Sequence, residues 1–391
     1  MTPHNCPICN GNSLTPFLNR LEVPVHQNLV LGSKIAAQSV ARGDLDMAVC
    51  AECGFVFNRR FDMSRLAYGE GYDNTQSCSP YFDTYLDHLA HDLVNVQSVR
   101  DCTVVEVGCG KGQFLEKLVN IPGSRIIGFG FDPSYIGPES TCSGQAHFRR
   151  CYYDDTCSDV QADVVICRHV IEHVPAPLSL LHAIRSALEN SPDARVFFET
   201  PCVEWILDNR VLWDFFYEHC SLFSVSSIVR AFEETGFTVS KVDHIFGGQY
   251  LWLEARVGTA ASARTDRGQA VYAQALNYGQ CEEAMRQTWK IRMDGLRAEG
   301  AVALWGAGAK GATLANLIDP GATLIDCVVD LNPNKQGKFI PGSAHRIVPP
   351  AELSSRKIMN ALLMNPNYRQ ENEHLLASSG ISTKLVDWSN L

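Results

Sequence analysis

The sequence predicts an α/β protein: two open sheets, each begun by a strand that runs into a glycine loop and a helix, set behind a small metal-stapled N-terminal domain. Three observations carry this. From residue 103 to 258, short apolar runs alternate with helix-period segments, the rhythm of a parallel sheet covered by helices. At Ala301 a second strand, glycine loop and helix begin. Two Cys-x-x-Cys pairs lie within the first 60 residues.

The bulk numbers fit. A chain of 391 residues exceeds one ordinary core, and roughly two to four domains are expected. Hydrophobic residues at 46% against charged residues at 19% give enough apolar surface for buried cores. A net charge of −10 argues against nucleic acid as partner, because phosphate backbones need a basic surface. No apolar run reaches membrane-spanning length, and the N-terminus lacks a charged-then-apolar leader. Fifteen cysteines without a leader read as reduced thiols in a cytoplasmic protein, not as a disulfide framework. The oligomeric state is not legible.

The expected organisation is a metal-binding domain over 1–60, a helical connector over 61–98, a first α/β domain over 99–258, a polar helical spacer over 259–298 and a second α/β domain over 299–391. Cys6, Cys9, Cys50 and Cys53 have the spacing that brings four thiolates to one tetrahedral zinc. Such a closed site has no open position for substrate, so its role is structural; His4 and His26 are weaker alternative ligands. The stretch between the pairs is polar and poorly periodic. In the connector, Tyr81, Tyr85, Leu86 and Leu89 recur at helical spacing.

The first sheet is expected to start at 104–107, followed by Gly108, Gly110 and Gly112 and by a helix over 113–119. The glycines let the backbone turn sharply and approach a ligand. Asp132 ends the next apolar run, where an acid takes two ribose hydroxyls. Arg168, His169 and His173 follow the strand over 164–167, at the edge where ligands of open sheets sit. A helix is expected over 226–237 and closing strands over 239–246 and 250–257. This run resembles the class I S-adenosylmethionine-dependent methyltransferases, with their Rossmann-like core. The resemblance implies that Glu106 lies near the methionine moiety, and that Gly108, Gly110, Gly112, Asp132, Arg168 and His169 bind the cofactor. A nicotinamide site prefers GxGxxG, and this loop is GxGxG.

Gly306-Ala-Gly308-Ala-Lys310-Gly311 does match GxGxxG, with Asp330 at ribose-binding distance in sequence. Three readings stand: a site for a phosphorylated part of the substrate, which is preferred, then a glycine turn used for packing, then a nicotinamide site. Gly306, Gly308, Lys310 and His173 are the candidate substrate-binding residues. Residues 332–342 form a loop rich in Asn, Pro and Gly, and 346–385 an α/β remainder.

Between the fifth core strand and the following helix lies Trp213-Asp-Phe-Phe-Tyr217-Glu218-His219. A histidine of near-neutral pKa takes a proton, while a neighbouring Tyr or Glu orients it; the alternative is a packing loop whose histidine caps a helix. The whole order resembles the three-domain C-methyltransferases that build branched deoxysugars on nucleotide carriers. That resemblance implies a keto-sugar acceptor, His219 as the base with Tyr217 and Glu218 supporting it, and Tyr72 facing the same cleft. The stretch over 73–80 departs from the family's Ser-rich pattern. Rival readings are N- or O-methylation of another small metabolite, an NAD-dependent oxidoreductase using the Gly306 loop, and a zinc-bearing binding protein.

Overall fold

The computed structural model describes residues 5–66, 78–157, 159–258 and 267–388. Among these residues the strands form three sheets. The central one has the order Phe237–Ile245, Tyr250–Val257, Arg195–Pro201, Val164–Arg168, Thr103–Val107, Ile127–Phe131, Ala146–Arg149, Ser140–Thr141. Thr103–Val107 pairs in parallel with Ile127–Phe131 on one side and Val164–Arg168 on the other. The chain therefore reverses its direction of sheet growth there, and ligands of open α/β sheets bind at the carboxyl ends of strands flanking such a point. Tyr250–Val257 runs antiparallel to Arg195–Pro201. The expected Rossmann-like core is present.

The C-terminal sheet repeats the plan. Its order is Ile347–Val348, Cys327–Val329, Ala301–Trp305, Ile358–Leu363, Lys384–Asp387, and every pairing is parallel. Its reversal point lies beyond Trp305, where the Gly306 loop begins.

The N-terminal stretch that reads as poorly periodic is strand. Leu14–Pro24 and Arg42–Cys50 pair antiparallel with irregular register near Pro16 and Val23. Those register shifts break the period-two alternation by which a strand is read. Val56–Asn58 extends this sheet, and Ser221–Leu222 closes it, so the segment after His219 is stitched to the N-terminal domain.

Helix Arg267–Glu299 takes up most of the polar 259–298 segment and runs one residue past it. It is no bare spacer: Val271, Ala275, Tyr278, Met293 and Leu296 are buried in one cluster with Leu45, Trp213 and Phe215 and with Val302 and Leu304 of the C-terminal sheet. Val271, Ala275 and Tyr278, and again Trp289, Met293 and Leu296, recur at spacings of three, four and seven, a stripe on an otherwise polar helix. The N-terminal sheet, the His219 segment and the C-terminal domain thus share a core. No described helix is long and apolar enough to cross a membrane.

Candidate active site

Two cavities lie at the two reversal points. The larger, about 640 Å³, sits over the carboxyl end of the central sheet and is lined by Glu106, Gly108, Gly110, Asp132, Arg168, His169 and His173, among others. The sequence-expected cofactor residues are brought together there, while Gly112 stands behind the loop as the left-handed start of helix Gln113–Asn120. Gly108 has φ +72°, and a Cβ on it would stand 2.1 Å from a Val170 methyl, so only glycine fits. Asp132 latches the loop: Gly110 N–H donates to its Oδ2 at 2.8 Å, and Ser134 donates to Oδ1 through N–H and hydroxyl.

Glu106 is buried, and among the described residues its Oε2 has no partner. Burial raises its carboxyl to about 7, opposed by Arg168 and aided by Asp132. A buried, partnerless carboxylate oxygen on a cavity wall fits an ammonium donor. The Arg168 guanidinium donates to Glu199 Oε2 at 2.6 Å and lies 4.4 Å over the Phe114 ring.

The smaller cavity, about 290 Å³, opens between the central domain and the Gly306 loop. His169, His173, His219, Gly306, Gly308 and Lys310 line it. His169 and His173 line both cavities and form the wall between them.

His169 has φ +54°, a left-handed conformation that is strained for a side-chain-bearing residue. Its ring is clamped between Glu172 Oε1 at 3.3 Å and Glu199 Oε1 at 3.1 Å. Burial disfavours its charge, but Glu199 and Glu172 outweigh that and raise it to about 9. Burial likewise disfavours ionised Glu199, yet Arg168 and His169 hold its carboxyl well below the usual range. Tyr85 donates a further bond to Glu199 at 2.7 Å. Sequence reasoning missed Tyr85 and Glu199. The available signal was an acid at the end of an otherwise apolar strand run.

The His219 ring lies 4.8 Å from that of His173, nearly perpendicular, and 4.0 Å from that of Phe216. Desolvation, with His173, His169 and Lys310 nearby, pushes its pKa well below the ordinary value, so the imidazole is neutral and its lone pair available. Tyr217 and Glu218 do not join it. Tyr217 is buried, with its hydroxyl accepting Asp62 N–H at 2.8 Å. Glu218 is buried and accepts Gln27 N–H at 2.8 Å, with His26 Nδ1 at 3.5 Å. Tyr217 and Glu218 form a turn in which His219 N–H donates to Phe216 O at 3.2 Å, and their contacts with Asp62 and Gln27 secure the loop to the N-terminal segments. Tyr72 lies outside the described residues.

In the Gly306 loop, a Cβ on Gly311 would lie 2.0 Å from Gly306 O, which forces glycine there. Asp330 latches this loop as Asp132 latches the first, with Ala307 N–H donating to Oδ2 at 2.8 Å. Helix Ala309–Ile318 starts at the cavity, and Lys335 lines it with Nζ 3.4 Å from Ala307 O of the same loop. Lys310 Nζ is 2.8 Å from Asp214 Oδ2.

Away from the cavities, the sulfurs of Cys6, Cys9, Cys50 and Cys53 lie within 4.8 Å of one another. Cys6–Cys53 and Cys9–Cys50 are each 3.6 Å apart. Tetrahedral zinc at its usual bond length needs sulfurs roughly 3.8 Å apart, so the residues fit that ion. Hydrogen bonding to Cys50, then Cys6, then Cys9, followed by burial, holds the Cys53 thiol well above its ordinary pKa; a central cation reverses that cost. His26, against Glu218, is not part of this cluster, and His4 lies outside the described residues.

Residues 81–242 match the family described as "Methyltransferase domain", and residues 254–381 the one described as "C-methyltransferase C-terminal domain". The chain is 25% identical to "C-methyltransferase NovU" of Streptomyces niveus, over 94% of this chain and 90% of that protein. A ubiquinone biosynthesis O-methyltransferase of Salmonella paratyphi A is 31% identical over 25% of this chain and 41% of its own length. Magnesium protoporphyrin IX methyltransferase from Synechocystis PCC 6803, solved with bound SAH, aligns with 47% of this chain and 87% of its own at 17% identity and TM-score 0.35.

Proposed function

We propose, from the premise that this chain belongs to the S-adenosylmethionine-dependent methyltransferases and carries a C-methyltransferase C-terminal domain, that it methylates carbon in a small keto-sugar carried on a nucleotide. The observation that carries this reading is the wall shared by the two cavities, with a neutral His219 on the acceptor side of it. S-adenosylmethionine supplies an electrophilic methyl on a sulfonium. Glu106 receives the cofactor's ammonium, Asp132 its ribose hydroxyls, and the Gly108–Gly112 backbone lets it approach.

His219 would remove the proton from the carbon beside the acceptor's carbonyl, and the enolate carbon would take the sulfonium methyl in line where the two cavities meet at His169 and His173, the C–S bond breaking to release S-adenosylhomocysteine. The His169 imidazolium, held charged by Glu199 and Glu172, adds a positive field where enolate charge develops. The helix start at Ala309, Lys310 and Lys335 favour an anion in the acceptor cavity, which suits a nucleotide diphosphate. In this reading Tyr217 and Glu218 act by fixing the loop that bears His219, and the four cysteines hold a structural zinc.

The test is to supply S-adenosylmethionine labelled with ¹³C at the methyl, together with nucleotide-linked keto-sugars, and to read the product by NMR. A labelled methyl bonded to carbon beside the former carbonyl supports the reading. A methyl on oxygen or nitrogen, or transfer only to acceptors without a carbonyl, contradicts it.

A further inference from the structure

The wall between the cavities holds more than bases. Glu172 and His173 lie in the turn Ile171–His173 that follows the Val164–Arg168 strand, and His219 reaches them from the segment before Ser221–Leu222. One donor atom from each of Glu172, His173 and His219 lies within 4.8 Å of the others. Glu172 is fully buried, yet among the described residues its carboxylate does not meet an arginine or lysine: Oε2 accepts from Thr200 Oγ1 at 3.1 Å and Oε1 faces His169. A carboxylate offers about four lone-pair positions, so these contacts leave it capacity to ligate. Both imidazoles line the acceptor cavity, which gives an ion a route in.

We propose that Glu172, His173 and His219 form a second metal site, for a divalent transition-metal cation such as zinc, distinct from the four-cysteine cluster. Two imidazoles and one carboxylate are a donor set for borderline ions; Mg²⁺ and Ca²⁺ demand oxygen ligands and do not suit it. Tetrahedral zinc needs donors roughly 3.3 Å apart, so side-chain rotations on the order of 1 Å close the set. The fourth position faces the acceptor cavity. The ion takes the same His219 lone pair that proton removal requires, so metal binding and turnover exclude each other. That consequence for activity rests on His219 being the base; the binding itself does not.

The experiment titrates Co²⁺ into the full-length protein with its four-cysteine site already filled with zinc, and records the visible spectrum. The expected result is one further cobalt per chain, with d–d bands typical of nitrogen and oxygen donors and no sulfur-to-cobalt charge transfer. His219→Ala and His173→Ala should each weaken it more than tenfold while keeping the circular dichroism spectrum and the denaturant melt of the natural protein, which shows them folded. Absence of a further cobalt, a sulfur charge-transfer band, or binding that survives in both variants overturns the site. Cobalt bound at that site with turnover intact upholds the site and instead overturns His219 as the base.

Discussion

Lys310 Nζ lies 2.8 Å from Asp214 Oδ2, and this contact ties the C-terminal glycine loop to the segment that carries His219. The pair is partly buried, and Gln249 Oε1 also faces the ammonium at 3.3 Å. A hydrogen bond to a charged group of this kind contributes about 1.5–3 kcal/mol. Asp214→Asn is therefore expected to raise KM for the acceptor on the order of tenfold, since 1.4 kcal/mol is one decade. S-adenosylhomocysteine affinity should stay unchanged, because the contact lies outside the cofactor cavity. Steady-state kinetics and calorimetry check the split; equal loss of both affinities would show a general collapse of the fold.

Glu106 gives the cofactor cavity a pH dependence. Its carboxyl is raised by burial to about 7, above the ordinary 4.5. Ionising it opposes folding of the empty protein, so its stability contribution is full below 4.5 and is lost as pH rises through about 7. An ammonium in the cavity needs the ionised form, so cofactor affinity should climb with pH and level off above about 7, by up to tenfold per pH unit on the rising limb. Glu106→Gln should bind S-adenosylhomocysteine weakly with that limb flattened. An unchanged pH profile in the variant would remove Glu106 from the cofactor.

Glu199 is the buried hub of the wall. Glu199→Gln leaves Arg168 and His169 short of a counter-charge, and breaking a buried pair costs about 3–5 kcal/mol. Tyr85→Phe deletes one hydrogen bond and should cost about 1 kcal/mol. Denaturant melts give both numbers. His169 is raised from 6.5 to about 9, so its contribution to stability is full below 6.5 and is lost as pH rises through about 9. His169→Gln should lose that slope; retention of the slope would assign it to another group.

The four-cysteine cluster should release zinc when its thiols are modified, measured with a chromogenic chelator. Apparent binding free energies of structural zinc are about 10–16 kcal/mol and count as folding free energy. Metal-stripped protein, or Cys50→Ser, should lose order in the N-terminal sheet by circular dichroism, and turnover with it, because Asn58 N–H donates to Cys220 O beside His219. A metal-free preparation with full stability would make the cluster four ordinary thiols.

Much of this site was legible in the sequence. Both glycine loops carry their own signal, because Gly108 and Gly311 occupy positions where a Cβ has no room. The Cys-x-x-Cys spacing speaks for itself. The partners were not legible. Tyr217 and Glu218 sit beside His219 in sequence, but the chain turns at these two residues and commits their side chains to Asp62 and Gln27 instead. Glu199 meets Tyr85 and His169 only because the sheet and helix Pro80–Asn95 pack together. Strand Leu14–Pro24 hid behind its irregular register, and helix Arg267–Glu299 hid its buried stripe among polar residues.

The most direct test concerns proton removal by His219. With S-adenosylhomocysteine in the cofactor cavity, no methyl can transfer, and a nucleotide-linked keto-sugar in D₂O should still exchange the proton beside its carbonyl. Mass spectrometry is expected to show deuterium uptake with the natural protein and none above background with His219→Ala, while calorimetry shows S-adenosylhomocysteine bound equally to both. Exchange that continues in His219→Ala would contradict the account and move the base elsewhere in the cleft.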